Sequence, residues 1–146
     1  MNETTSNGLE TETLKIYPDT THQTRLSSQA KEFRGAYQIT NSNSRPARAK
    51  QHSIIVEEFK EFLHAEGMLY LSSNEHKENA LKELADLVYV CYQYAENMQW
   101  DLDKAMDRVH KSNMSKLDEE GNPIYREDGK VLKGPNYQPP DLSDLV

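Results

Sequence analysis

Two groups of carboxylates sit at helical spacing in the middle of the chain. The first is Glu57-Glu58-Phe59-Lys60-Glu61 and the second is Glu83-Leu84-Ala85-Asp86. Residues three apart share one side of a helix, so Glu58 pairs with Glu61 and Glu83 with Asp86. Like charges so placed cost a few tenths of a kcal/mol per pair, roughly 0.2–0.5, so helix stability alone does not select them. Leu84, Leu87 and Val88 border the second pair, which puts it beside an apolar stripe, where a desolvated carboxylate needs a partner. Only Lys60 and Lys82 offer a positive charge within a few residues. Two such helices packed antiparallel bring four oxygen ligands together, the donor set of hard cations such as Mg²⁺ or Mn²⁺. The plain alternative is a solvated acidic helix face, the usual meaning of a charge run.

The elements that must hold these groups can be read in order. Residues 1–24 are rich in Thr, Glu and Asn without a sustained apolar period, and are expected to form a flexible arm. Ser27 or Ser28 is expected to cap a first helix through Ala30, Phe33, Ala36 and Tyr37. Thr40 to Pro46 breaks it, with Pro46 suited to the first turn of a second helix. Ile54, Ile55, Phe59, Phe62 and Leu63 give that helix its apolar face, and Gly67 is its expected C-cap. A third helix is expected from about Glu75 to Gln99, apolar widely enough (Leu81 to Met98) to be buried on more than one side. Asp101 or Asp103 caps a fourth, ending near Asn113. The Asp128-Gly129 dipeptide between Pro123-Ile124-Tyr125 and Lys130-Val131-Leu132 signals a small β-hairpin. The Pro-rich end after it is expected to be extended. The fold class is all-α, a four-helix-bundle-like domain over residues 25–117, with the hairpin and tail of residues 118–146 belonging to it.

Composition narrows the function. The chain has 146 residues and a formal charge of −7, and residues 53–103 hold 11 acidic against three basic side chains. The excess therefore lies with the paired carboxylates. An acidic balance argues against general nucleic-acid binding. No run approaches the ~20 apolar residues of a membrane span, so no membrane is expected as a partner. A single cysteine, Cys91, excludes an internal disulfide and suits a reducing, cytoplasmic setting.

The spacing Glu57-Glu58-x-x-Glu61, then Glu83-x-x-Asp86, resembles the EExxE…ExxD signature of the all-α nucleoside triphosphate pyrophosphohydrolases. That superfamily includes MazG, phosphoribosyl-ATP pyrophosphohydrolase and the dimeric dUTPases and dCTPases. The segments Val109 to Leu117 and Arg126 to Tyr137 are similar to the short MazG-like proteins of bacteria and phages. The resemblance implies the MazG fold and hydrolysis of a nucleoside triphosphate to monophosphate and pyrophosphate, with Mg²⁺ or Mn²⁺. By position, Glu58, Glu61, Glu83 and Asp86 would be metal ligands, and Glu57 an accessory catalytic carboxylate.

In the same family the helix-four segment faces the substrate, which implies Asn113 and Lys116 as phosphate-binding groups, aided by Lys111. Helix capping and the dipole explain these residues equally well without it. Lys130 and Lys133 would close over phosphates or reach a neighbouring subunit, with solvated turn residues as the alternative. Base recognition in relatives uses the first helix and the next loop, which implies Phe33, Gln38 and Asn41. Relatives form dimers or tetramers, and the exposed apolar helix surface expected here fits a homodimer or homotetramer. Within this reading dGTP or GTP is the expected substrate, as in the (d)GTP diphosphohydrolases of phages; dUTP, dCTP and phosphoribosyl-ATP stay open. A non-enzymatic acidic helical module binding a basic partner is the reading from another class.

Overall fold

A computed structural model describes residues 25–146, and the arm expected over residues 1–24 lies outside the described residues. Four helices carry the fold: α1 (Leu26–Ala36), α2 (Arg45–Gly67), α3 (Asn74–Met98) and α4 (Leu102–Met114). No strand longer than an isolated bridge occurs among the described residues, so the chain is all-α. Among them, no helix is long and apolar enough to cross a membrane.

Capping chemistry sets most helix starts. Ser44 Oγ accepts the Ala47 N–H ahead of α2, with Pro46 in the first turn. Ser73 Oγ accepts the His76 N–H for α3, and Asp101 Oδ1 accepts the Lys104 N–H for α4. The start of α1 differs from expectation. That helix begins at Leu26 without a side-chain cap, and Ser27 is already inside it, its Oγ donating to Asp103 of α4. A tertiary partner has outcompeted the local cap. Gly67 is likewise the last residue of α2 and not its cap; Met68 follows in helical conformation and leads into a short 3₁₀ turn, Leu69–Leu71.

The long helix α3 is the hub, with α2 along one side and α1 along another, while α4 touches α1 and the C-terminal 3₁₀ turn Ser143–Leu145. The loop between α1 and α2 is pinned to α3 by Asn97, which is 3% exposed. Its Oδ1 accepts from Arg34 Nη2 (2.9 Å) and Ser42 N (3.2 Å), and its Nδ2 donates to Ser42 O (2.6 Å). Each of those groups would cost free energy if buried unpaired.

Burial within one chain is sparse in large side chains. The buried apolar positions are small or few, chiefly Ala30, Ala65, Ala80, Tyr92, Ala95 and Leu145. Although α3 is covered by α2 and α1 on two sides, its Leu81 (67% exposed), Leu84 and Val88 lie open, as do Val56, Phe59 and Leu63 of α2. Each trio repeats at i, i+3 or i+4, i+7, so each forms one continuous helix face.

The expected hairpin is a tight turn closed by one antiparallel bridge, Tyr125 with Val131. Gly129 there takes φ +82°, open to glycine without strain. The extended tail then passes close to the end of α4. Gly134 N donates to Lys116 O at 2.8 Å, and a Cβ at Gly134 would lie 2.6 Å from Lys116 O, so only glycine fits this crossing.

Candidate metal centre

Glu58 on α2 meets Glu83 and Asp86 on α3. One carboxylate oxygen from each lies within 4.8 Å of the others. The geometry follows from pairing two helices that run in opposite directions: Glu58 faces Glu83 and Asp86, while Ile54 and Gln51, nearer the start of α2, face Tyr89, Val90 and Gln93, nearer the end of α3. Glu83 is the most enclosed of the three, at 8% exposure, with Glu58 and Asp86 half-buried.

Electrostatics at this point are strained by charge. Partial burial pushes the Glu58 carboxyl above the usual carboxylate range, and the neighbouring Glu61, Asp86 and Glu83 push it the same way. Among the described residues one cation answers the cluster: Lys82 Nζ donates to Glu83 Oε1 (3.0 Å) and to Asp86 Oδ2 (2.8 Å). Those two carboxylates hold the Lys82 ammonium well above its ordinary pKa. Lys82 covers only one side. Glu83 Oε2 is buried and has no hydrogen-bond partner among the described residues. A buried carboxylate oxygen without a donor is costly, and three converging carboxylates fit a hard divalent cation. The residues present therefore fit a metal.

The other residues picked out from the sequence fall in several places. Glu61 is exposed and stands outside the converging trio, close enough to act on Glu58 by charge. Glu57 and Glu61 together line a shallow cleft with His52 and Lys60. On α4, Lys116 Nζ donates to Asn113 Oδ1 at 2.8 Å. Lys111 lines a cleft against the tail with Arg108 and Gln138. In the turn, Lys130 N donates to Asp128 Oδ1, and Lys133 Nζ lies 4.4 Å from the centre of the Tyr137 ring. None of these cations is bonded to the acidic trio among the described residues. Of the base-reading candidates, Phe33 lines a cavity between α1, α2 and α3. Asn41 is engaged by Arg34 Nε (2.6 Å) and Glu96 (3.3 Å), and Gln38 is exposed with φ +55°.

Residues 21–113, well over half of the chain, match the family described as phosphoribosyl-ATP pyrophosphohydrolase. The chain belongs to that family. The match spans α1 to α4 and so includes every carboxylate of the trio. Family membership carries a nucleotide pyrophosphohydrolase activity, hydrolysis at a phosphoanhydride bond, and places the chain in the superfamily that also holds MazG. No curated protein matches the chain.

Of the two nearby cations that the sequence offered, Lys82 is the one that pairs; it is four residues before Asp86 on one helix face, a spacing that announces the ion pair. Sequence reasoning passed over one further group. Gln93 is seven residues after Asp86, two full turns along the same face, and a lone amide between Tyr92 and Tyr94 was a weak signal by itself.

Proposed function

We propose that the chain is a Mg²⁺- or Mn²⁺-dependent nucleoside triphosphate pyrophosphohydrolase of the MazG-like type, releasing monophosphate and pyrophosphate, with dGTP or GTP as its preferred substrate. One observation carries the metal-dependent part: Glu58, Glu83 and Asp86 converge within 4.8 Å, and Glu83 Oε2 is buried without a partner among the described residues. Bound there, a divalent cation would offset triphosphate charge and acidify water for attack at phosphorus. Glu58, Glu83 and Asp86 would hold the cation, with Glu61 as a further ligand, and Glu57 would act as an accessory carboxylate orienting water. No nucleophilic side chain is required.

Lys82 has a defined part in this account. It neutralises one side of Glu83 and of Asp86 and so lowers the repulsion that gathering the trio costs. Substrate phosphates also need cations that the trio cannot supply. Lys116 and Lys111 of α4 provide them, with Asn113 as a neutral donor beside Lys116, while Lys130 and Lys133 of the C-terminal turn close over the phosphates or reach a neighbouring subunit of a homodimer or homotetramer. The open apolar faces of α2 and α3 support that assembly, since such continuous patches are seldom left to water.

The C-terminal resemblance to short MazG-like proteins supports a nucleoside triphosphate. The family match itself favours a second reading, phosphoribosyl-ATP. A substrate panel separates them: the eight common NTPs and dNTPs and phosphoribosyl-ATP, each incubated with Mg²⁺ or Mn²⁺, with products resolved chromatographically. The proposal expects dGTP or GTP to give monophosphate and pyrophosphate fastest. Exclusive turnover of phosphoribosyl-ATP overturns it in favour of the second reading.

A further inference from the structure

Gln93 is 6% exposed, and neither its Nε2 nor its Oε1 has a hydrogen-bond partner among the described residues. A wholly unpaired buried amide is rare and costly. The side chain borders a cavity of about 270 Å³ between α1, α2 and α3. The walls are mainly apolar and aromatic, with Phe33 and Tyr89 meeting edge to face at 5.7 Å and Ile39, Ile54 and Val90 around them, and Lys50 and Gln51 of α2 also border the cavity. That volume lies just under the ~300–1,000 Å³ typical of sites for whole drug-sized ligands, so it suits a single heterocycle.

Position relates the cavity to the acidic trio. Asp86 and Gln93 are seven residues apart on α3, which puts them on nearly the same face and about 10 Å apart along the axis. Glu58 and Ile54 repeat the relation on α2, one turn apart. A ribose and its ester bridge such a gap.

Arg34 settles which base edge belongs here. Its side chain also borders the cavity and is 4% exposed. Its Nε and Nη2 donate to Asn41 Oδ1, Thr40 O and Asn97 Oδ1, while Nη1 makes no hydrogen bond among the described residues. No carboxylate pairs with it by a salt bridge among them, so its positive charge at the cavity edge favours an acceptor over a donor. An amide alone can match either an N–H/C=O or an amino/ring-nitrogen edge by flipping. Beside a buried guanidinium, a ring carbonyl is attracted and an exocyclic amine repelled.

We infer that this cavity is the base subsite and that Gln93, with Arg34, selects a base carrying a ring N–H beside a carbonyl, as in guanine, hypoxanthine or uracil. Gln93 Oε1 accepts the ring N–H and Nε2 donates to the carbonyl, so both orphan atoms are satisfied. Adenine and cytosine lack that edge. The inference rests on the nucleotide reading above and deepens it, adding a specificity residue on α3 to the α1 region already considered.

The test uses the full chain and Gln93→Met, which keeps volume and removes both polar atoms. Guanosine and adenosine binding are followed by ligand-observed NMR in EDTA, and kcat/KM for GTP and ATP with Mn²⁺. Circular dichroism and the Mn²⁺-induced rise in Tm report that the variant is folded and its metal site intact. The inference expects guanosine to bind more tightly than adenosine, and Gln93→Met to reduce the guanine preference about 10- to 100-fold in both measurements. Equal binding of the two nucleosides to the native chain overturns it, as does an unchanged preference in the variant. Guanosine binding without turnover of any nucleotide overturns the enzymatic reading and leaves the subsite standing; turnover without base preference does the reverse. Should Gln93→Met fail to fold, Ile54→Phe, which narrows the same cavity, must weaken guanosine binding, and unchanged binding there overturns the inference.

Discussion

Lys82 Nζ donates to Glu83 Oε1 at 3.0 Å, while the other oxygen of the same carboxylate is buried without a partner among the described residues. Half of that carboxylate is neutralised and half is not. A divalent cation should complete it, so Mn²⁺ at a hundred times its Kd should stabilise the fold by about 2.7 kcal/mol through mass action. Glu83→Gln should reverse the order of stability. Without metal the variant should be at least as stable as the native chain, because the unpaired buried charge is gone. With Mn²⁺ it should be the less stable, its Tm unmoved by the ion. Thermal melts of both chains in EDTA and in Mn²⁺ check the crossover.

The open faces of α2 and α3 should lie together in an assembly. Leu84→Glu, which puts a charge into a continuous apolar strip of Leu81, Leu84 and Val88, should release monomers. Size-exclusion chromatography with light scattering should find the native chain at a multiple of 16.8 kDa and the variant at that mass.

Asn97 joins α3 to the loop between α1 and α2 through three hydrogen bonds. Asn97→Ala leaves Ser42 and Arg34 short of partners in a nearly closed setting. A loss of about 1–3 kcal/mol in unfolding free energy is expected, read as a lower urea midpoint at unchanged slope.

Arg108 holds Asp144 of the C-terminal turn by a two-pronged ion pair, and the Asp144 carboxyl is lowered from 3.8 to about 2. A depressed carboxyl pKa stabilises the fold at pH above the unfolded value and is lost as pH falls through the folded one. The ion pair should therefore stay formed above about pH 4 and be lost as the pH drops towards 2. Carbon-13 NMR of the Asp144 carboxyl should give a midpoint near 2 in the native chain, returning to the ordinary Asp range in Arg108→Ala.

Local rules carried much of the fold. Ser44, Ser73 and Asp101 cap helices because a short oxygen beside a free N–H acts within one turn, and that is visible in sequence. The start of α1 was hidden because Ser27 is committed to Asp103, a residue 76 positions away. Periodicity identified the apolar faces of α2 and α3 but not what covers them, since a stripe facing a second chain has the same period as one facing the core. At the candidate site, i, i+3 spacing marked Glu58 with Glu61 and Glu83 with Asp86, and packing alone could show that Glu58 meets Glu83 and Asp86 across the two helices. Gln93 was the hardest to find: its significance lies in an empty hydrogen-bond register and a cavity, and neither leaves a pattern in sequence.

The central claim is that Glu58, Glu83 and Asp86 hold a divalent cation for cleavage between the α and β phosphates. Its most direct measurement is the product mixture from GTP with the native chain in Mn²⁺, the native chain in EDTA, and Asp86→Asn in Mn²⁺, followed by phosphorus-31 NMR. The account predicts monophosphate and pyrophosphate in the first sample alone, with the helical circular dichroism of the variant retained. Equal turnover in EDTA, full activity in Asp86→Asn, or release of orthophosphate and diphosphate would contradict it.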